Sequence, residues 1–269
     1  MQSVGLLIVG DEILSGKRKD QHLAKVIDLL HARGMSLAWA QMVGDDEAQI
    51  ADAIAAAKAR GDVVLACGGI GATPDDLTRQ AAARAFGVPI ERHREAEALI
   101  VDQYGDKAQP HRVLMADFPK GAAIIPNPVN NVAGFSIGDC YFVPGFPEMA
   151  WPMLEWALDT KLAHLHTTEP NVEFTLRSTG SSAEGDLLPL MEETLQRHRG
   201  IKLSSLPFRG DATRPRHIEF GIKGPRAMAA DAYRWLRAEL VKRTDVEVED
   251  LTPPAAAPGA SSRPSRKSR

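Results

Sequence analysis

Val4-Gly5-Leu6-Leu7-Ile8-Val9 is a continuous apolar run that stops at Gly10-Asp11-Glu12, and this stretch decides how the rest of the chain is read. Strict alternation would mark a strand with one wet face. An unbroken run bounded by turn residues marks a strand buried on both faces of a parallel sheet. Such a strand needs helices on either side, and the chain supplies them. Asp20 is placed to cap a helix whose Leu23, Val26, Ile27 and Leu30 share one face and which Gly34 closes. Leu37 to Val43 reads as a second strand, and Asp46 with Gln49 as the capping box of an alanine-rich helix ending near Gly61. Asp62-Val63-Val64-Leu65-Ala66-Cys67 is another buried strand, running straight into Gly68-Gly69. This alternation implies an α/β doubly wound sheet with right-handed crossovers.

Farther along, helical patterns cover Leu77 to Phe86 and Glu91 to Tyr104, the second reaching outward because its charges are dense. A short helical turn is expected over His111 to Met115, and short strands over Ala122 to Ile125 and Tyr141 to Val143. A helix from Glu148 to Leu158 closes the first domain, taken as residues 1–163. Its Trp151, Met153, Leu154 and Trp156 suit packing or a subunit interface better than ligand stacking. Periodicity fades between Lys161 and Pro170, where a domain boundary is placed. Strands over Val172 to Arg177, Lys202 to Pro207 and His217 to Ile222, with helices over Leu187 to His198 and Met228 to Lys242, predict a small two-layer α+β domain over 170–250. Residues 252–269, rich in proline, alanine and serine and ending in alternating basic residues, read as a disordered, solvated tail.

Bulk properties narrow the function. The 269 residues are 44% hydrophobic and 25% charged with a formal charge of -3, and the pI is near 6.3, so the excess of Lys and Arg that a nucleic-acid backbone would require is missing. The N-terminal apolar run is too short for a membrane span and has no basic leader, which points to a cytoplasmic protein without a membrane partner. Cys67 and Cys140 sit in strand-like runs and read as reduced core residues. The histidines, among them His93, His111, His164, His166 and His217, show no metal-ligand spacing, and Ser181 and Ser182 have no local base, which favours turn or capping roles.

Ligands of open α/β sheets bind in the crevice outside the carboxyl ends of the strands. Two loops fall at that edge: Gly10-Asp11-Glu12 after the first strand, and Gly68-Gly69-Ile70-Gly71-Ala72-Thr73-Pro74-Asp75-Asp76 after the third. Gly68, Gly69 and Gly71 let the backbone approach a ligand closely and turn N–H groups toward negative oxygens, with Thr73 in support, so a phosphate is the expected ligand. A plain strand-to-helix turn would need only one glycine. Asp11, Glu12, Asp75 and Asp76 would repel a phosphate unless a hard cation lay between, and Mg²⁺ is the expected metal, with Asp11, Asp75 and Asp76 as its ligands. Taken singly, Asp75 and Asp76 also suit the start of a helix, and Glu12 also suits solvent.

Gly10-Asp11-Glu12-Ile13-Leu14-Ser15-Gly16 and Gly68 to Thr78, in that order, resemble the molybdopterin-binding superfamily of molybdenum-cofactor biosynthesis proteins. The nearer resemblance is to the competence/damage-inducible protein A branch, whose later motifs are similar to Asn127-Pro128-Val129-Asn130-Asn131-Val132-Ala133-Gly134 and Val143-Pro144-Gly145-Phe146-Pro147. The resemblance implies a three-layer α/β/α domain that binds a pterin or nucleotide phosphate, with Asn130, Gly134, Pro144 and Gly145 joining the glycine loop at the ligand and a small homo-oligomer as the assembly. It also implies that Asp11 and the Asp75-Asp76 pair handle metal and phosphoryl chemistry. The chain departs from the usual pattern at Ala72, at Lys19-Asp20-Gln21-His22 and at Ala133-Gly134-Phe135. Its length leaves no room for the amidohydrolase or nucleotidyltransferase domains that some relatives add, and those activities are expected to be absent. Three functions stay open: metal-dependent hydrolysis of a phosphoanhydride of the ADP-ribose or FAD type, adenylylation of a pterin phosphate, and binding of molybdopterin or a nucleotide without turnover.

Overall fold

All six residues of strand β1 (Val4–Val9) are buried, as an unbroken apolar run requires. The computed structural model describes residues 2–167, 171–180 and 183–254. After β1 come the one-turn helix α1 (Asp11–Leu14), α2 (His22–His31), β2 (Leu37–Val43), α3 (Glu47–Arg60), β3 (Val63–Cys67) and α4 (Thr78–Phe86). They are followed by β4 (Ile90–Arg92), α5 (Arg94–Tyr104), β5 (Asp117–Pro119), β6 (Ala123–Ile125), β7 (Gly134–Ile137), β8 (Cys140–Val143) and α6 (Pro147–Thr160). The caps follow from side-chain chemistry: Asp20 accepts from the N–H groups of His22 and Leu23 at 2.9 and 3.0 Å, and Asp46 accepts from Gln49 N–H at 2.8 Å. Gly61 closes α3 in the left-handed conformation.

The main sheet has the order β2-β1-β3-β8-β7-β6. Its first four strands are parallel, and β7 runs antiparallel to both β8 and β6. From β1 the chain passes first to β2 on one side and then to β3 on the other, so the crossover direction reverses beside β1. In register, Val9 pairs with Val43, Ile8 with Cys67 and Cys67 with Val143, which brings the carboxyl ends of four strands to one edge. One core layer packs α3, α4 and α5 over one sheet face around Ile54, Ala82, Phe135 and Phe142; the other packs α2 and α6 over the opposite face around Val26, Leu30, Leu65 and Leu154. The architecture is α/β/α with a mostly parallel sheet.

Two local readings are corrected. Glu91 and Arg92 belong to β4, which pairs with β5, so the helix begins at Arg94. That helix does not stand clear of the domain: its charges form the outer side, while Ala96 and Ile100 are buried in the core with Phe118. The turn near His111 is a 3₁₀ helix over Arg112–Ala116.

Chain contacts divide the molecule between residues 168 and 169. The second unit contains β9 (Val172–Gly180), α7 (Leu188–Arg197), β10 (Lys202–Phe208), β11 (His217–Gly224), α8 (Arg226–Val241) and β12 (Val246–Thr252). Its antiparallel sheet runs β10-β11-β9-β12 and shares a core with α8 through Phe174, Leu176, Phe220, Tyr233 and Leu236. β12 corrects the expectation that the tail begins at residue 252. Thr252 pairs with Thr175 and the two hydroxyls meet at 2.9 Å. Residues 255–269, like Ser181 and Ser182, lie outside the described residues.

Candidate functional site

A cleft of about 570 Å³ opens at the carboxyl edge of β1, β3 and β8. Its floor is built where backbones cross at a distance only glycine tolerates. Gly68 has φ +108°, and a Cβ there would lie 2.2 Å from the Val9 carbonyl oxygen. Gly68 N–H donates to Val143 O at 3.0 Å, and Gly10 N–H to Val43 O at 3.1 Å, so the first residue of each loop extends the sheet ladder. Gly145 packs against the same loop more loosely: its Cβ would lie 3.3 Å from Gly68 Cα, tight but short of a clash. Thr78, fully buried, donates its hydroxyl to Gly68 O at 2.9 Å and its N–H to Gly69 O at 2.9 Å, fastening the loop to the start of α4.

The loop then leaves donors free. Among the described residues the N–H groups of Ile70, Gly71 and Ala72 have no hydrogen-bond acceptor, at a place where the chain turns into the N-terminal end of α4. The carbonyl side of the loop is held from behind by Arg79, which is 4% exposed and donates to Gly71 O and Leu114 O. Burial holds this guanidinium below its ordinary pKa, and the charges of Asp76 and Asp117 oppose that effect. Thr73 donates both its N–H (2.8 Å) and its hydroxyl to Asp76. Across the cleft, Asn127 is 4% exposed and donates to Asn130 Oδ1 and Val132 O at 2.8 and 3.0 Å, which folds the asparagine segment into a rigid wall. Tyr104, Met115 and Met149 supply an apolar side.

Most of the residues expected from the sequence therefore meet: Gly10, Glu12, Gly68, Gly69, Gly71 and Thr73 line the cleft, as do Asp75, Asp76, Asn130, Pro144 and Gly145. Two do not. Asp11 is exposed and does not line the cleft; its Oδ1 accepts from Asp45 N–H at 3.3 Å while its own N–H donates to Asp45 Oδ2 at 2.9 Å. Gly134 lies within β7, where a Cβ would stand 2.4 Å from Phe142 O, so strand packing accounts for it.

Asp45 is the site residue that sequence reasoning passed over, together with Arg18 and Arg79. Asp45 lines the cleft. Burial, then the charges of Asp11, Glu12 and Asp75, push its carboxyl above the ordinary range, although Asp11 N–H pulls the other way. Its position directly after β2, a strand parallel to β1, was the available signal. The acids are not gathered into a ready-made cage: among the described residues no group of three or more His, Cys, Asp or Glu stands close enough to hold a metal. The neighbouring carboxylates Asp11, Glu12 and Asp75 add to the burial of Asp45 in raising its carboxyl.

Comparison with known proteins agrees with this geometry. Residues 5–164 match the family described as "Probable molybdopterin binding domain". A CinA-like protein of Citrifermentans bemidjiense is 38% identical over 159 residues, covering 56% of this chain and 38% of that protein. A CinA-like protein of Anaeromyxobacter sp. (strain Fw109-5) is 29% identical over 238 residues, covering 85% of this chain and 57% of the relative. The chain thus spans roughly two fifths to three fifths of the length of these relatives. Among solved structures, CinA of unknown function from Thermoplasma acidophilum superposes with a TM-score of 0.55 at 28% identity, covering 60% of this chain and 99% of that one. With a family match over more than half its length, the chain belongs to the molybdopterin-binding domain family and is similar to CinA-like proteins.

Proposed function

We propose that the cleft binds the phosphate of a nucleotide or pterin and hydrolyses a phosphoanhydride of the ADP-ribose or FAD type with a divalent metal. The observation that carries this reading is the run of unpaired N–H groups at Ile70, Gly71 and Ala72, residues that line the cleft together with Glu12, Asp45, Asp75 and Asp76. Phosphate-binding donors and carboxylates at one edge would be compatible if a divalent cation offset the carboxylate charge.

Mg²⁺ is often held by only one or two protein carboxylates, so the absence of a larger carboxylate group among the described residues would not prevent its binding here. Asp45 and Asp75 are the residues proposed to hold it, with Asp11 positioning Asp45 through their paired hydrogen bonds and Asp76 setting the loop through Thr73. When bound, the metal would polarise the phosphoryl group. The chain's own part is to fix the phosphate on the loop N–H groups, where donors would also offset developing negative charge, and to seat the ring against Tyr104, Met115 and Met149. Water adds to one phosphorus, and the bridging oxygen leaves with the other phosphate, giving two monophosphates.

The test is phosphoanhydride cleavage across ADP-ribose, FAD and related dinucleotides with Mg²⁺, Mn²⁺ or Co²⁺. Turnover that falls about 100-fold or more in Asp45→Asn and Asp75→Asn supports the reading, since removal of one charge-stabilising group at a reacting centre costs on this order. Turnover unchanged in both variants refutes it. A second reading, binding of a pterin or nucleotide phosphate without turnover, is favoured by one observation: Asp11 and Asp76 are already engaged within the protein. Copurification of a fluorescent pterin with no cleavage of any dinucleotide would establish it.

A further inference from the structure

The walls of the main cleft carry four carboxylates, Glu12, Asp45, Asp75 and Asp76, and, among the described residues, one cation, Arg18. Arg18 belongs to the loop between α1 and α2, where Ser15 to Lys19 are exposed; its neighbours Lys17 and Lys19 do not line the cleft. The backbone at Arg18 is held in place. Its N–H donates to Glu12 O at 2.9 Å, just after the left-handed turn at Gly16, where φ is +74°. The root of the side chain is therefore anchored to a residue of the cleft wall.

The guanidinium has no acceptor of its own. Arg33, Arg60 and Arg92 are paired with Asp159, Asp62 and Asp117, and Arg79 with two carbonyls. Arg18 has neither an ion pair nor a side-chain hydrogen bond, although four carboxylates line the same cleft. Its guanidinium instead stands over the exposed Phe146 ring, 5.8 Å from the centroid, and Phe146 lines the cleft as well. A cation over an exposed ring is held weakly, so the fork of N–H donors stays free for a planar or tetrahedral anion.

We propose that Arg18 is the ligand's phosphate clamp: its guanidinium leaves the Phe146 ring and pairs with oxygens of the phosphate that the N–H groups of Ile70, Gly71 and Ala72 bind. This rests on the main cleft binding phosphate. Arginine suits the task because its fork matches two phosphate oxygens and its charge does not depend on pH in the physiological range. The consequence concerns the metal. Arg18 carries part of the phosphate's counter-charge within the chain itself, so part of the affinity survives when divalent metal is removed, and that part depends on Arg18. A metal would then offset the carboxylates while Arg18 offsets the phosphate.

The experiment measures calorimetric affinity of the whole chain for the α,β-methylene analogue of ADP, which cannot be hydrolysed at the bridge, once with Mg²⁺ and once with EDTA. Wild type should keep measurable binding in EDTA. Arg18→Met, which keeps an unbranched stem against Phe146 and loses the charge, should weaken that binding about tenfold or more, the size of a charge-assisted hydrogen bond. Arg18→Lys should recover part of it. Lys17→Met makes the same change in charge one residue away, outside the cleft, and should stay within twofold of wild type. An Arg18→Met protein within twofold of wild type overturns the clamp and leaves the phosphate cleft standing. A Lys17→Met protein as weak as Arg18→Met also overturns it, because surface charge in general would then explain the effect. Wild-type binding that EDTA abolishes overturns it without any variant, while leaving metal-dependent binding intact. No binding to wild type in either condition overturns the phosphate cleft as well.

Discussion

Gly68→Ala tests the floor of the cleft, and its cost can be worked from the geometry. The backbone at this position has φ +108°, which a residue with a Cβ adopts only under strain, and the added carbon would sit 2.2 Å from Val9 O. The strain alone is worth about 1–2 kcal/mol. Separating a carbon and an oxygen at that distance requires a shift of about 1 Å between neighbouring, hydrogen-bonded strand ends, which costs roughly 1–3 kcal/mol in packed surroundings. Together these predict about 2–5 kcal/mol, or a melting temperature lower by about 4–20 °C for a unit of this size. Gly61→Ala is the matched control: Gly61 has φ +73°, but a Cβ there meets nothing within 4 Å, so only the strain of about 1 kcal/mol and about 2–4 °C should appear. Thermal melting by circular dichroism reads both variants, and the shift on adding the methylene analogue of ADP reads the site. The shift should survive in Gly61→Ala and vanish in Gly68→Ala. If the two variants melt within about 2 °C of each other, the close approach of this loop to β1 is not what demands glycine, and the reasoning fails.

Asp45→Asn should stabilise the protein at neutral pH. A folded-state pKa raised above the unfolded value means that the wild type loses stability as pH rises through that pKa, so the variant's advantage appears above it and disappears below the ordinary carboxylate range. The gain is below about 1 kcal/mol because the group is partly exposed, and Mg²⁺ should shrink it; an advantage that grows toward acid pH contradicts the sign. Arg79→Met should cost about 2–4 kcal/mol by leaving Gly71 O and Leu114 O without their donor, and Arg79→Lys should not rescue it, because one ammonium does not reproduce the two-carbonyl fork. In the second unit Arg237, then Tyr233, hold Asp250 below its ordinary range. Asp250→Asn should therefore destabilise by about 1 kcal/mol above the ordinary carboxylate range and progressively less as pH falls through the folded pKa, as acid and base melts will show.

The first unit was legible because its strands announce themselves. A run such as Val4 to Val9 is uniformly apolar only if both faces are covered, and the following Gly10 and Gly68 mark the edge where strands end. The elements that escaped carry weaker local signals. β7 is four residues long and begins at Gly134, which disguises it as part of the asparagine turn, and β4 has its charged Glu91 and Arg92 in a pairing that only β5, distant in sequence, makes favourable. β12 did carry a signal, the alternation Val246-Glu247-Val248-Glu249, but its outward acids read as a solvated segment when its partner β9 is not in view.

The site shows the same division between what is local and what is assembled. A glycine at positive φ is dictated by its immediate backbone, so Gly68 and Gly69 were found from the sequence alone. A carboxylate's role depends on which way it faces, and sequence cannot supply that: Asp11 follows the buried strand after a single glycine, yet it does not line the cleft, whereas Asp45, from the loop after the neighbouring parallel strand, does. Asp11 and Asp45 exchange hydrogen bonds in both directions, so a change at either disturbs both. Loss of function in Asp11→Asn would by itself not identify Asp11 as a metal ligand. Only a double-mutant cycle separates the two roles. If Asp11 acts through Asp45, the double variant should be no worse than Asp45→Asn alone, and if each carboxylate binds independently the losses should add.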